Sequence, residues 1–228
     1  MLTLDLSVVI PSLNAGASLG ATLAALPAGL EVIVVDGGSS DATIEIARAG
    51  GARVVSAPRG RGTQLRHGAE DARASWLLFL HADTVLAPNW TEAARGFMTN
   101  AANQQRAACF RLALDDARWI ARWLERIVVW RTRALGLPYG DQGLLISRAL
   151  YELLGGYRPL PIMEDVDLVR RIGRRRLTRL DVSARTSAVR YRQGYMARSL
   201  RNLCCLALYY VGVSPALIAR FYEGRQRP

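Results

Sequence analysis

The chain has 228 residues, half of them apolar, with a mean hydropathy of +0.08 and a formal charge of +11. This size suits one domain with a full core; the composition excludes intrinsic disorder, and no run approaches the roughly 18 uninterrupted apolar residues of a spanning helix. All 30 basic residues are arginine, which excludes P-loop and Schiff-base lysine chemistry and favours bidentate contact with phosphate, whether on a small anionic ligand, a nucleic acid or an acidic membrane.

The apolar run Leu6 to Ile10 reads as a first strand. It lacks the basic flank and small-residue cleavage site of a signal peptide, so a cytoplasmic location is expected. Further strands are expected at Glu31 to Val35, Arg53 to Ser56 and Trp76 to Leu80, with helices between them at Leu19 to Leu26, Thr43 to Ala49 and Thr63 to Ala74. Ser39, Ser40 and Asp41 offer cap oxygens to the second helix. This alternation predicts an α/β fold with a mostly parallel central sheet flanked by helices.

Beyond Asp83 come a helix from about Pro88, a strand near Cys109 to Leu114, and a long helix from Asp116 to Leu135. On that helix Trp119, Trp123, Ile127 and Trp130 recur at three- and four-residue spacing, a stripe read as core or interface. A loop over Gly136 to Gly143 leads into a strand at Leu144 to Ser147, and Glu164, Asp165 and Asp167 open a further helix. The tail from Leu200 to Phe221 is split by Gly212 and Pro215 into two short helices bordered by Arg198, Arg201, Arg220, Arg225 and Arg227. These helices either close the core or lie on an anionic membrane surface. Cys109, Cys204 and Cys205 match neither a disulfide framework nor a zinc spacing and read as small hydrophobes.

In an open α/β sheet, ligands bind beyond the carboxyl ends of the strands, and four such ends here carry polar or basic loops. They are Pro11-Ser12-Leu13-Asn14, Asp36-Gly37-Gly38-Ser39-Ser40-Asp41, Pro58-Arg59-Gly60-Arg61-Gly62 and His81-Ala82-Asp83-Thr84. Asp36 is suited to a base or ribose contact, or to a turn; Asn14 and Asp41 have the same pair of readings. Arg59 and Arg61 before a helix N-terminus suit phosphate oxygens, or a solvated basic turn. Asp83 after an apolar strand faces a cleft, binds a cation or caps a turn, with His81 on the same side of an extended segment. The Glu164-Asp165 pair is either a helix start or a general base at the cleft mouth.

Taken together, Val8 to Asn14, Val34 to Thr43, Leu80 to Thr84 and Met163 to Asp167 resemble the family 2 glycosyltransferases of GT-A fold over about residues 5 to 175. Residues 58–62 and 136–142 further look like the radical-SAM and selenodomain-associated subgroup. The resemblance implies one GT-A domain over 1–228, with a nucleotide-binding part at about 1–115 and an acceptor part with C-terminal helices at about 116–228. It implies a nucleotide-sugar donor site at Pro11, Leu13, Asn14, Asp36, Gly37, Gly62, Gln64 and Asp83, with Asp83 meeting the diphosphate through Mg²⁺ or Mn²⁺. It further implies Asp165 as the base of an inverting transfer with Glu164 as second choice, and Tyr139, Asp141 and Gln142 beside the acceptor. Many relatives carry an acid where this chain has His81, which leaves Asp83 as the single carboxylate there. The acceptor is unassigned and is read as lipid-linked, with peripheral membrane contact through the tail and no nucleic-acid partner. A sugar-phosphate nucleotidyltransferase and a basic nucleic-acid-binding module are the rival readings, distinguished by pyrophosphate release and by a salt-dependent gel shift.

Overall fold

The computed structural model describes residues 4–189 and 194–223. Arg225 and Arg227 of the tail lie outside them. In chain order come β1 (Leu6–Ser12), α1 (Gly16–Ala24), β2 (Glu31–Asp36), α2 (Thr43–Ala49), β3 (Arg53–Ser56), α3 (Arg61–Asp71) and β4 (Trp76–Phe79). Then follow β5 (Thr84–Leu86), α4 (Trp90–Met98), β6 (Ala107–Leu114), α5 (Trp119–Leu135) and β7 (Leu144–Ser147). The described chain closes with α6 (Arg148–Leu153), α7 (Glu164–Ile172), β8 (Leu177–Thr186), α8 (Tyr195–Tyr210) and α9 (Pro215–Glu223).

The strands form one sheet in the order β3-β2-β1-β4-β7-β6-β8-β5, the expected mostly parallel sheet flanked by helices and followed by a helical tail. Strand β1 shows why it is central: all seven of its residues are buried, so it reads as an apolar run rather than as an alternating pattern. Its side chains still divide by face. Leu6, Val8 and Ile10 pack with Leu19, Leu23 and Trp90 on one side, while Val9 packs with Leu65, Leu168 and Ile172 on the other.

Topology gathers the polar loops on one edge. Strands β1, β2, β3 and β4 are mutually parallel, so their carboxyl ends share that edge. Because β7 is antiparallel to β4, with Phe79 opposite Leu144, the loop preceding β7 arrives there too. Strand β8 runs parallel to β6 and ends there at Thr186, opposite Thr84 of the antiparallel β5.

Two features depart from expectation. His81 to Thr84 is a turn closed by Thr84 N–H donating to the His81 carbonyl (3.2 Å), rather than an extended segment, because the chain reverses here into β5. The tryptophan stripe of α5 is not core. Trp119, Trp123 and Trp130 are 76, 46 and 63% exposed, while Ala121, Leu124, Val128 and Thr132 supply the buried face. The cysteines are free, with Cys109 and Cys205 buried and Cys204 partly so.

Candidate active site

A cleft of about 720 Å³ opens at the shared strand edge. One wall is the β1 loop. Pro11, Leu13 and Asn14 line it, and Asn14 adopts the left-handed region (φ 50°) that asparagine tolerates better than most side chains. Its Oδ1 accepts from Ser40 N–H (2.9 Å) and its own N–H donates to Ser39 Oγ (2.9 Å), tying the β1 loop to the β2 loop. Asp41 and Thr43 complete the stitch by accepting from the Gly16 and Ala15 N–H groups at the start of α1 (3.0 and 2.8 Å). Of the expected cap residues, Asp41 alone accepts from the Thr43 N–H opening α2 (3.1 Å), and the Thr43 hydroxyl, which also donates to it, holds its carboxyl below the usual range.

Asp36 is buried and works as the keystone of its turn. It accepts from Gly38 N–H and Ser39 N–H (2.9 Å each) and from Ser39 Oγ (2.5 Å). Beneath it, Gln64 Nε2 donates to the carbonyls of Ser12 (2.7 Å) and Val35 (2.8 Å), bridging β1 and β2 from α3 while the side chain also touches the cleft. Gly37 lies close against it: a Cβ there would stand 3.1 Å from Gln64 Nε2. Asp36 and Gly37 therefore shape the loop after β2 from behind and do not line the cleft.

The basic wall is Arg59, Gly60 and Arg61 at the N-terminus of α3. Arg61 forms an ion pair with Glu164, and its Nη1 lies 3.3 Å from His81 Nε2. Since arginine only donates, His81 Nε2 accepts in this contact. The Glu164 charge, and then that of Asp165, raise the Arg61 pKa further, so it stays a fixed cation at the cleft. Glu164 itself is 1% exposed, and burial pushes its carboxyl up against the opposing pull of Arg61. It braces Arg61 and does not line the cleft. Gly62 does not line the cleft either. It sits under residues 158–164, where a Cβ would lie 2.4 Å from the Arg158 carbonyl oxygen, so its lack of a side chain lets α3 and the acidic segment meet.

Acids line the cleft as well. Asp165, in the first turn of α7, lines the cleft; its Oδ2 accepts from Gly140 N–H (2.9 Å) and its Oδ1 from Val166 N–H (2.7 Å). Met163, which caps the start of α7, holds φ 66°, a left-handed conformation that is strained for such a side chain. Asp167 is spent elsewhere, paired with Arg158 (3.1 Å) and Arg171 (2.5 Å). Tyr139 lines the cleft with its ring beneath the Arg131 guanidinium, 3.5 Å from the centroid. Asp141 lines it as a half-buried residue whose Oδ1 is sealed from solvent and has no hydrogen-bond partner. Burial, opposed by Arg131 and reinforced by the charges of Asp165 and Asp83, pushes its carboxyl up to about 6. Gln142 is 1% exposed and turned away: its Nε2 donates to the Phe110 carbonyl (3.0 Å) and its Oε1 accepts from Thr132 Oγ1 (3.1 Å). That amide satisfies a buried strand carbonyl and does not line the cleft.

Asp83 and His81 both reach the cleft from their turn. Among the described residues no group of three or more His, Cys, Asp or Glu is arranged to hold a metal ion. The donors present still suit a hard cation, because Asp83 and the unpartnered Asp141 Oδ1 are carboxylate oxygens, whereas the His81 ring nitrogen is engaged by Arg61.

Sequence reasoning missed the lid. Arg198 and Asn202 of α8 and Ala219 and Tyr222 of α9 line the same cleft, so the tail borders the site rather than only closing the core. The one available signal was the four-residue spacing of Arg198 and Asn202, which puts both on one helix face.

Residues 7–134 match the family model described as glycosyl transferase family 2. An uncharacterized glycosyltransferase of Mycobacterium bovis is 42% identical over 78 residues, which are 34% of this chain and 36% of that protein. One from Mycobacterium tuberculosis matches to the same extent, so the match spans about a third of the curated relatives' length. Among solved structures, S. aureus TarS in complex with UDP-GlcNAc aligns with a TM-score of 0.63 at 16% identity, covering 80% of this chain and 58% of that one. Glucosyl-3-phosphoglycerate synthase from Mycobacterium tuberculosis, in complex with Mn²⁺, UDP and glucosyl-3-phosphoglycerate, aligns at 0.57 and 23% identity, covering 78% and 70%. These two likenesses show the fold, GT-A, and the family match covers more than half of the sequence: the chain belongs to glycosyl transferase family 2.

Proposed function

We propose that this protein transfers a sugar from a nucleotide diphosphate donor to an acceptor hydroxyl, inverting the anomeric carbon, as a member of the radical-SAM and selenodomain-associated subgroup. The observation that carries the reading is convergence. Asp83 and Arg61 from the first half of the chain and Asp165 from the second half stand on the walls of one cleft, over the carboxyl ends of parallel strands.

The division of labour follows the walls. Residues up to about 115 take the donor: the 11–14 loop and the turn held by Asp36 receive base and ribose, and Arg59, Arg61 and the start of α3 receive the diphosphate oxygens. Residues from about 116 onward carry the base, the acceptor side at Tyr139 and Asp141, and the C-terminal helices, the whole being one catalytic unit over 1–228. Asp83, with Asp141 beside it, would hold Mg²⁺ or Mn²⁺, which supplies charge stabilisation to the departing diphosphate. Asp165 accepts the acceptor hydroxyl's proton as the new bond to the anomeric carbon forms. The Gly140 N–H fixes the orientation of its carboxylate, and Arg61 stays charged at the leaving-group side. The acceptor is read as lipid-linked and reached by peripheral contact of α8 and α9, which expose Leu200, Leu203, Leu217 and Phe221, with Val211 exposed just after α8. No described helix is long and apolar enough to cross a membrane.

The test is a panel of nucleoside diphosphates and their sugars in calorimetry with and without Mn²⁺, followed by product analysis with hydroxyl acceptors by proton NMR. Binding of one diphosphate with inversion in the product supports the reading. Absence of binding across the whole panel, with the fold intact, overturns it.

A further inference from the structure

Helix α5 presents two apolar faces where a packed surface helix needs one. Ala121, Leu124, Val128 and Thr132 face inward, and Leu124 and Val128 pack with Leu112, Leu114 and Tyr195. Outward stand Trp119 (76% exposed), Trp123 (46%), Ile127 (37%) and Trp130 (63%), spaced by four, four and three residues along one stripe. Nothing in the fold requires large aromatic surface there, and three exposed tryptophans in one stripe far exceed scattered surface hydrophobes.

The charge beside the stripe identifies what covers it. Arg122, Arg126 and Arg133 are exposed on the same helix, and Arg118, exposed at its N-cap, is paired with Asp116 (2.6 Å). Its one acid, Glu125, is turned inward, accepting from Leu114 N–H (2.6 Å) and paired with Arg122 (2.9 Å). A face of tryptophan edged by arginine without exposed acid matches the boundary of an anionic bilayer. There the indole ring sits at headgroup depth with its N–H in the wet layer, and the arginine stems lie along the apolar surface with their guanidinium groups on phosphate. A second copy fits worse, since a two-fold contact through this face sets arginine against arginine with no exposed carboxylate between them.

We infer that α5 is an interfacial anchor that seats this protein on an anionic lipid surface through Trp119, Trp123, Ile127 and Trp130. At 17 residues and charged on one edge, it lies in the interface plane and does not span. Its position ties it to the cleft: Tyr195 at the start of α8 donates to Asp116 just before α5 (2.7 Å), and Leu206 of α8 packs with Leu137 just beyond it. The same α8 lines the cleft through Arg198 and Asn202. The inference adds a second, aromatic surface to the tail contact read above and stands independently of the transfer chemistry.

The test uses the protein's own fluorescence. Of the five tryptophans, Trp76 (4% exposed) and Trp90 (1%) are buried, so a lipid-dependent change reports on α5. With vesicles of phosphatidylcholine and phosphatidylglycerol, emission should shift to the blue and be quenched by brominated acyl chains, with weaker binding at high salt and with phosphatidylcholine alone. Trp119→Ser combined with Trp123→Ser and Trp130→Ser should lower vesicle affinity at least about tenfold, and Arg126→Gln with Arg133→Gln about tenfold for anionic vesicles only. Quenching is read on the unaltered chain and does not depend on how the variants fold. Absence of quenching in anionic vesicles, or vesicle binding indifferent to the three tryptophans in a folded variant, overturns the inference. So does a dimer by sedimentation equilibrium that the tryptophan variant dissociates while the unaltered chain ignores vesicles.

Discussion

Asp141→Asn should stabilise this protein at alkaline pH, an outcome opposite to that of most buried polar changes. The carboxyl of Asp141 is raised from 3.8 to about 6, first by burial and then, against Arg131, by the charges of Asp165 and Asp83. The folded state thus holds the proton more tightly than the unfolded chain. Below the unfolded value there is no penalty; between 3.8 and about 6 a cost builds as pH rises, and above it the cost is complete. At 1.36 kcal/mol per pH step, that interval sets a ceiling of about 3 kcal/mol. Because the residue is only half-buried, solvent screening reduces the expected gain to about 1–2 kcal/mol. Asparagine keeps the shape and removes the charge, so the variant should gain that amount at pH 8 and converge with the parent near pH 4. Urea unfolding at several pH values, with m unchanged, measures it. Adding Mn²⁺ should stabilise the parent more than the variant if the carboxylate contributes to a cation site. A variant less stable at pH 8, or an offset independent of pH, would refute the reasoning.

Two further changes probe the walls of the cleft. Asp165→Asn should lower transfer by about 10²–10⁴-fold while leaving diphosphate affinity nearly unchanged, as expected if Asp165 is the base proposed above and Arg59 and Arg61 meet the diphosphate; near-normal turnover with the true acceptor would move the base elsewhere. Gly62→Ala should cost about 1–3 kcal/mol in a thermal melt and slow transfer, because its Cβ would meet the Arg158 carbonyl oxygen at 2.4 Å and press on the segment carrying Asp165. An unshifted melting point would mean that residues 158–164 yield freely.

The strands at one edge of the sheet and the loops that follow them were legible along the chain because strand propensity, turn chemistry and helix capping are properties of consecutive residues. Leu6 to Ile10 announces a doubly covered strand; Asn14, Asp36 and Asp41 announce turns; Arg59 and Arg61 announce a basic helix start. Strand β8 was not legible. Its residues are mostly half-buried and interrupted by arginines, and it exists because β6 and β5 pair with it on either side. Side-chain direction was decided the same way. Glu164 and Asp165 are neighbours with the same local signals, yet one is buried against Arg61 and the other faces the cleft; Asp141 and Gln142 part similarly, one into the cleft and one onto the Phe110 carbonyl. Helix α5 shows the limit most clearly: its periodic tryptophans read as core or interface, and the smaller residues Ala121, Leu124 and Val128 took the core face. Periodicity tells that a helix has an apolar stripe, but which stripe is buried depends on the shape of the surface it meets, and that surface is built by segments distant in the chain.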